Sequence, residues 1–152
     1  MQIGSKKVQI QPRWPLRVSK VYGPYEPVSD SRESILQDFV FLLQTIPGEW
    51  PMNPDLGVGL ANYLFESYLS PELDEFKSRL KKQLSKYLPN IKLINAEFIH
   101  SDENMDSLNT VLKITYFVEL LGIIEEIDFG LDPVKKSIIV VKTEQSKVGK
   151  LL

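Results

Sequence analysis

The sequence predicts an α+β domain in which three helices pack on one face of a mostly antiparallel sheet, with extended arms at both ends. Three observations carry that expectation. Between residues 31 and 87 the apolar side chains recur at spacings of three and four, and from Ile91 onward they alternate at a spacing of two. Proline and glycine stand where the pattern changes, at Pro47-Gly48, Ser70-Pro71, Pro89-Asn90, Gly122 and Gly130. Helices first and strands last in 152 residues describe one layered domain, large enough to bury a core without covalent staples.

Residues 1–29 read as an extended arm. Val8-Gln9-Ile10, Trp14-Pro15-Leu16 and Val18 to Tyr22 are β-prone pieces separated by prolines, which fits paired edge strands and forbids a central one. Trp14 and Tyr22 suit an arm that docks onto something. Asp30 as cap and Glu33 as third helical residue open the first helix, about 31–45, whose buried stripe is Ile35, Leu36, Phe39, Val40, Leu42, Leu43 and Ile46. It stops at Pro47-Gly48. A short second helix carries Leu60, Tyr63 and Leu64, and Ser70-Pro71-Glu72 starts the third with a capping hydroxyl, a proline at the first helical position and an acid in the first turn.

The third helix aligns Leu73, Phe76, Leu80, Leu84 and Tyr87 on one face, and its bases Lys77, Arg79, Lys81, Lys82 and Lys86 read as a solvated face. Pro89-Asn90 forbids continuation. Strands are expected over Ile91 to His100, Leu108 to Leu120, Ile123 to Phe129 and Ser137 to Lys142, with a polar loop at Ser101 to Ser107 and a turn at Gly130-Leu131-Asp132-Pro133. The domain therefore spans 30–143, between an arm of 1–29 and a loose tail of 144–152.

The loop from Ile46 to Gly57 is the organising corner. Three prolines and two glycines in twelve residues fix φ at some positions and allow positive φ at others, so the loop has one shape. Stiff loops of this length are functional or packed as a unit, and Trp50, Met52 and Leu56 within it want cover.

Composition narrows the chemistry. The chain has no cysteine, hence no disulfide, thiol nucleophile or thiolate metal site, and one histidine, His100, with no second histidine to complete a transition-metal set. Asp102, Glu103 and Asp106 lack the spacing of a calcium loop and read as a solvated acidic turn. No phosphate loop, nucleophile elbow or dinucleotide fingerprint is present, so no cofactor is expected. No apolar run is long enough to span a bilayer and the N-terminus lacks a signal-peptide layout, so neither membrane insertion nor export by the general route is expected.

Charge is uneven: residues 1–27 and 135–152 each carry +4, whereas 28–134, with 8 basic and 18 acidic residues, carries −10. Basic ends on an acidic body suit a fold back onto that body or an acidic partner; without a stacking aromatic series or a recognised binding module they do not suggest nucleic acid. One enzymatic reading stays open: Glu49, Asp55 and Glu66 cluster near the loop, and glycoside hydrolysis needs a pair of carboxylates.

The run from Leu43 through Ile46-Pro47-Gly48-Glu49-Trp50-Pro51-Met52-Asn53-Pro54-Asp55-Leu56-Gly57 to Leu60, followed by Leu64-Phe65-Glu66, resembles the signature of the contractile-tail baseplate wedge family. That family includes the small wedge subunit of T-even phages and a baseplate subunit of type VI secretion systems. The similarity covers roughly 31–120 and includes Tyr87-x-Pro89-x-Ile91. Two positions depart from the pattern. Trp50 stands where arginine is common, and Leu88-Pro89-Asn90 where many members carry Glu-Pro-Arg, so only the proline is shared there.

The resemblance implies a structural subunit without catalytic activity or cofactor, located in the tail baseplate and assembled in the host cytoplasm. Its implied partners are the helical core bundle of the larger wedge proteins, the first ring of sheath subunits, whose assembly it templates, and tube or hub proteins. Gly48, Pro51, Pro54, Gly57 and Pro89 would then set shape, while Glu49, Phe65 and Glu66 would mark the corner that meets partners, with the two ends supplying partner strands. The lysozyme-like label attached to the family is not carried over, because no position makes an acid with a protected environment. The alternatives are a baseplate peptidoglycan glycosidase using Glu66 or Glu49, and a free regulatory binding module of the same fold.

Overall fold

The computed structural model describes residues 10–21, 23–65, 71–100, 110–132 and 137–147. The chain forms two compact units, divided between Phe41 and Leu42 within the first helix, α1 (Ser31–Gln44).

In the first unit the arm closes on itself. Strands β1 (Gln11–Pro12) and β2 (Pro27–Val28) pair antiparallel, Gln11 opposite Val28 and Pro12 opposite Pro27, and Val18 bridges Tyr25 further out. The prolines keep each strand to two residues, and side chains of α1 replace the missing ladder. Gln37 donates through Nε2 to the Pro12 carbonyl at 3.0 Å and accepts from the Trp14 amide at 2.8 Å, while Gln11 Nε2 donates to the Ser34 carbonyl at 3.2 Å. The Trp14 ring meets Phe41 edge-on, centroids 6.2 Å apart. Asp30 caps α1 as the sequence suggests, its Oδ1 accepting from the Arg32 amide at 3.2 Å. Glu33 does not complete a capping box; both its carboxylate oxygens are taken by the Arg13 guanidinium, which also lies 3.4 Å from Glu26.

The second unit carries the main core. After the end of α1 and the loop come α2 (Leu60–Phe65), α3 (Pro71–Tyr87) and four strands, β3 (Ile91–His100), β4 (Thr110–Val118), β5 (Ile123–Asp132) and β6 (Ser137–Lys147). They form one antiparallel sheet in sequence order. Period-two alternation buries Leu112, Ile114, Tyr116 and Val118 on β4 opposite Phe129, Ile127, Glu125 and Ile123 on β5. From α3, Phe76, Leu80 and Leu84 are buried, and Tyr63 of α2 meets Phe76 edge-on at 5.2 Å. Glu125, the one buried acid among the described residues, accepts a 2.6 Å hydrogen bond from the Tyr116 hydroxyl. On the opposite face Lys113 Nζ pairs with Glu126 at 2.8 Å, and this contact holds the Lys113 ammonium above its ordinary pKa.

The fold is α+β as the sequence predicts, with four differences in the strands. Gly130 to Asp132 continue β5 and do not turn, because Gly130, Leu131 and Asp132 pair with Ile139, Ile138 and Ser137. β6 runs past Lys142 to Lys147, since the outer strand follows its partner back to Ile123. β3 changes phase: Leu93 faces Tyr116 and Asn95 faces Thr115, so Ile94 bulges outward, exposed, and Ala96 takes the buried position. A second bulge falls on β6, where Lys142 faces Asp128 and Val140 faces Phe129, leaving Val141 unpaired in register. The capping Ser70, the acidic turn at 102–106 and the segments at 1–9 and 148–152 lie outside the described residues.

Candidate functional site

The loop between α1 and α2 is held at every turn. The Val58 amide donates to the Leu42 carbonyl at 3.1 Å and the Gly59 amide to the Thr45 carbonyl at 2.9 Å, so the returning chain satisfies the open carbonyls at the end of α1. Gly48 has φ +94° and donates to the Pro54 carbonyl at 2.9 Å, closing the loop on itself. Glu49 curls back, its carboxylate accepting from the Ile46 amide at 3.0 Å.

Two consecutive tight turns follow, each led by proline. Asn53 N–H bonds to Trp50 C=O at 2.9 Å around Pro51, and Leu56 N–H bonds to Asn53 C=O at 3.1 Å around Pro54. The fixed φ of proline suits the second position of such a turn, and its missing N–H costs nothing there. Pro89 has the same place in a third turn, Ile91 N–H to Leu88 C=O at 3.0 Å, which converts α3 into β3.

From the other side, α3 clamps the loop. Gln83, 4% exposed, accepts from the Gly57 amide at 3.1 Å and donates to the Asp55 carbonyl at 2.7 Å. Arg79 Nε donates to the Gly57 carbonyl at 3.0 Å. One turn further on, Tyr87 and Asn53 exchange hydrogen bonds of 2.8 and 3.0 Å. The Lys86 ammonium lies 5.0 Å from the Tyr87 ring centroid; its contact with the phenol, and after it the Asn53 hydrogen bond, lowers the Tyr87 pKa, and the same phenol contact raises that of Lys86. The Asn90 carbonyl accepts from the Glu119 amide at 2.9 Å, tying the third turn to the turn after β4.

This clamp leaves the loop tip outward. Met52 is 97% exposed, so the cover that the sequence suggests for it does not come from this chain's described residues, whereas Trp50, 50% exposed, is half covered and Leu56 is half-buried. Gly48, Glu49, Pro51, Pro54 and Gly57 lie in the clamped loop, Pro89 in the separate turn between α3 and β3, and Phe65 closes α2, while Glu66 lies outside the described residues. Sequence reasoning missed Gln83, Arg79 and Asn53. Arg79 is not part of a solvated basic face but is half-buried against Gly57. Gln83 had a signal: it is the polar residue beside Leu84 and Leu80, on the buried side of α3, facing a glycine-rich loop with unpaired backbone.

The arrangement offers backbone rigidity and two protruding apolar side chains. Among the described residues no group of three or more His, Cys, Asp or Glu side chains is placed to hold a metal ion. Nor is any described helix long and apolar enough to cross a membrane.

Comparison with known proteins bears on these features. The chain is similar to a chain in the cryo-EM structure of the anti-feeding prophage (AFP) baseplate, 6-fold symmetrised, at 20% identity and a TM-score of 0.59, over 74% of this chain and 86% of that one. That likeness shows a common fold. A protein from Geobacter sulfurreducens described as a candidate tail lysozyme aligns at 19% identity with a TM-score of 0.48, over 80% of this chain and 95% of that one, which is too distant to carry an argument. No curated protein matches the chain. The family described as "Baseplate wedge protein gp25" matches residues 29–119, from the residue before the α1 cap through the loop, its clamp and β4. With well over half of its length inside that match, the chain belongs to the baseplate wedge protein gp25 family.

Proposed function

We propose that this structural component of a contractile-tail baseplate links the inner core bundle of the larger wedge proteins to the first sheath ring, templates sheath assembly there, and is built in within the host cytoplasm. The observation that supports this reading is the clamped loop with Trp50 and Met52 turned outward. A loop held by Gln83 and Arg79 loses little conformational freedom on docking, and exposed Trp and Met are residue types that anchor interfaces. Pro51 and Pro54 present the anchors, Gly48 and Gly57 allow the chain to fold under them, and Pro89 holds the neighbouring corner. Phe65, the last residue of α2, and Glu66, next in sequence, are the further positions assigned to the partner-facing corner. The outer edges of β3 and β6, each paired on one side only among the described residues, offer main-chain hydrogen bonds to sheath subunits. The reading is structural throughout: Glu49 is exposed and occupied with the Ile46 amide, and no catalytic step is assigned to it.

The test is a pair of variants, Trp50→Ala and Met52→Asp, expressed with the complete tail machine. Met52 is almost fully exposed, so Met52→Asp should keep the thermal midpoint, a surface change of this kind being worth within about 0.5 kcal/mol, whereas the half-covered Trp50 should cost about 1–2 kcal/mol as alanine and leave the chain folded. The variants should be depleted from purified baseplates and leave particles with shortened or absent sheath. Normal incorporation and full sheath in both variants would overturn the assignment of the loop as the docking face.

A further inference from the structure

The hairpin of residues 10–28 lies outside the family match, which begins at residue 29, so its role is read from its own residues. Its root is fastened and its tip is not. Gln11, Arg13 and Trp14 are bound to Ser34, Glu33 and Gln37 of α1. Beyond Trp14, Val18 is 83% exposed and Val21 80% exposed, with Leu16 and Tyr25 about half exposed. Between them stand Arg17 and Lys20, whose side chains have no acidic partner among the described residues. Four large apolar side chains on a two-stranded tip are unfavourable in water and unnecessary for the hairpin, whose root already holds it.

We infer that this tip is an insertion element that seats Leu16, Val18 and Val21 in an apolar groove of another baseplate protein, with Arg17 and Lys20 paired to acidic residues on the groove's rim. The inference rests on the baseplate reading above and adds a second, independent contact to it. Apolar centre and charged rim are the ordinary anatomy of a protein interface, and two uncompensated cations select an acidic rim. A bilayer suits the tip less well. The bonds flanking the Val18–Tyr25 bridge run from Ser19 N–H to Pro24 C=O and from Glu26 N–H to Arg17 C=O, which makes Val18 and Tyr25 a non-hydrogen-bonded pair. Their own amide and carbonyl groups point away from the hairpin, where lipid would leave them unsatisfied and a protein groove can bond them. Two cations among aliphatic side chains are also a poor nucleic-acid footprint. A second copy of this chain is the weaker protein partner, because several of its acids are already paired: Glu26 and Glu33 to Arg13, Glu119 to Lys92 and Glu126 to Lys113.

The experiment places a photo-crosslinking amino acid at position 18 or at position 21 of the full chain, assembles the complete tail machine, purifies baseplates and maps the adducts by mass spectrometry. Both positions should cross-link to one other baseplate protein, within a segment where Asp and Glu outnumber Lys and Arg. Arg17→Glu with Lys20→Glu should reduce that adduct about tenfold or more without changing the melting of the isolated chain. Adducts to a second copy, to nucleic acid, to lipid or to a basic segment would overturn the inference. So would the absence of adducts in baseplates that contain the chain, and in that case the baseplate reading survives. Baseplates that lack the chain altogether would overturn both.

Discussion

Replacing Gly57 by alanine tests whether the loop is held as rigidly as its hydrogen bonds imply. At φ +103° Gly57 lies where an L residue is strained by about 1–3 kcal/mol. An added Cβ would also sit 2.2 Å from the Thr45 carbonyl oxygen, 2.7 Å from its carbon and 2.9 Å from the Thr45 Cβ. The backbone must move, which at overpacked buried sites costs about 1–3 kcal/mol. The oxygen that must move is the acceptor of the Gly59 amide at 2.9 Å, a bond worth about 1 kcal/mol. Alanine restricts the unfolded chain and returns about 0.4–1 kcal/mol.

The expected loss is therefore about 2–7 kcal/mol, a large share of the roughly 5–15 kcal/mol typical of a domain. The control is Gly48→Ala, with a similar φ of +94° and nothing within 4 Å of the added carbon, which should cost about 1–2 kcal/mol. Urea unfolding of the isolated variants, followed by circular dichroism, reads the difference. If Gly57→Ala and Gly48→Ala fall within about 1 kcal/mol of each other, the close approach to Thr45 does not govern the loop and the reasoning fails. A Gly57→Ala chain with no folded baseline, beside a folded Gly48→Ala, supports it.

Three further outcomes are expected. Gln83→Leu should destabilise by about 2–4 kcal/mol in the same assay, since it strips partners from both the Gly57 amide and the Asp55 carbonyl. Tyr116→Phe should cost about 1–3 kcal/mol by removing a hydroxyl that donates to the buried Glu125 carboxylate. In an ultraviolet titration Tyr87 should ionise below an ordinary phenol, with Lys86→Met shifting it upward more than Asn53→Ala does, because the lysine is the larger cause. The sign for stability follows from linkage. The lowered Tyr87 pKa gives a contribution that is present above the unfolded phenol's pKa and lost as pH falls through the folded value. The raised Lys86 pKa gives one that is lost as pH rises through its folded value. A Tyr87 that titrates with the other phenols would count against the Lys86 and Asn53 contacts.

Much of this fold is legible in period and punctuation. The spacing of Phe76, Leu80 and Leu84 places α3, alternation from Leu112 to Val118 places β4, and Pro47, Pro71 and Pro89 bound the helices, because each acts through local backbone physics. What the sequence does not disclose is non-local. Nothing local says that Gln83 reaches across to Gly57 and Asp55, that Arg13 draws Glu33 away from its own helix cap, or that Ile94 is squeezed out of register opposite Tyr116 and Thr115. The loop shows both sides of this. Its stiffness could be read from its prolines and glycines, whereas the outward turn of Trp50 and Met52 depends on which residues of α3 hold it from beneath.

The two outermost strands of the four-stranded sheet each carry one surplus residue, Ile94 in β3 and Val141 in β6, while β4 and β5 run in unbroken register from Leu112–Phe129 to Val118–Ile123. A newcomer strand lying along β3 meets two short tracks, Ile91 to Leu93 and Asn95 to His100, offset by one residue and twisted apart. A flat, generic strand from a misfolded neighbour can match only one track at a time, whereas a strand shaped with its own compensating kink can follow both. Margins interrupted in this way are poorer templates for indiscriminate edge-to-edge pairing than flat strands of unbroken register.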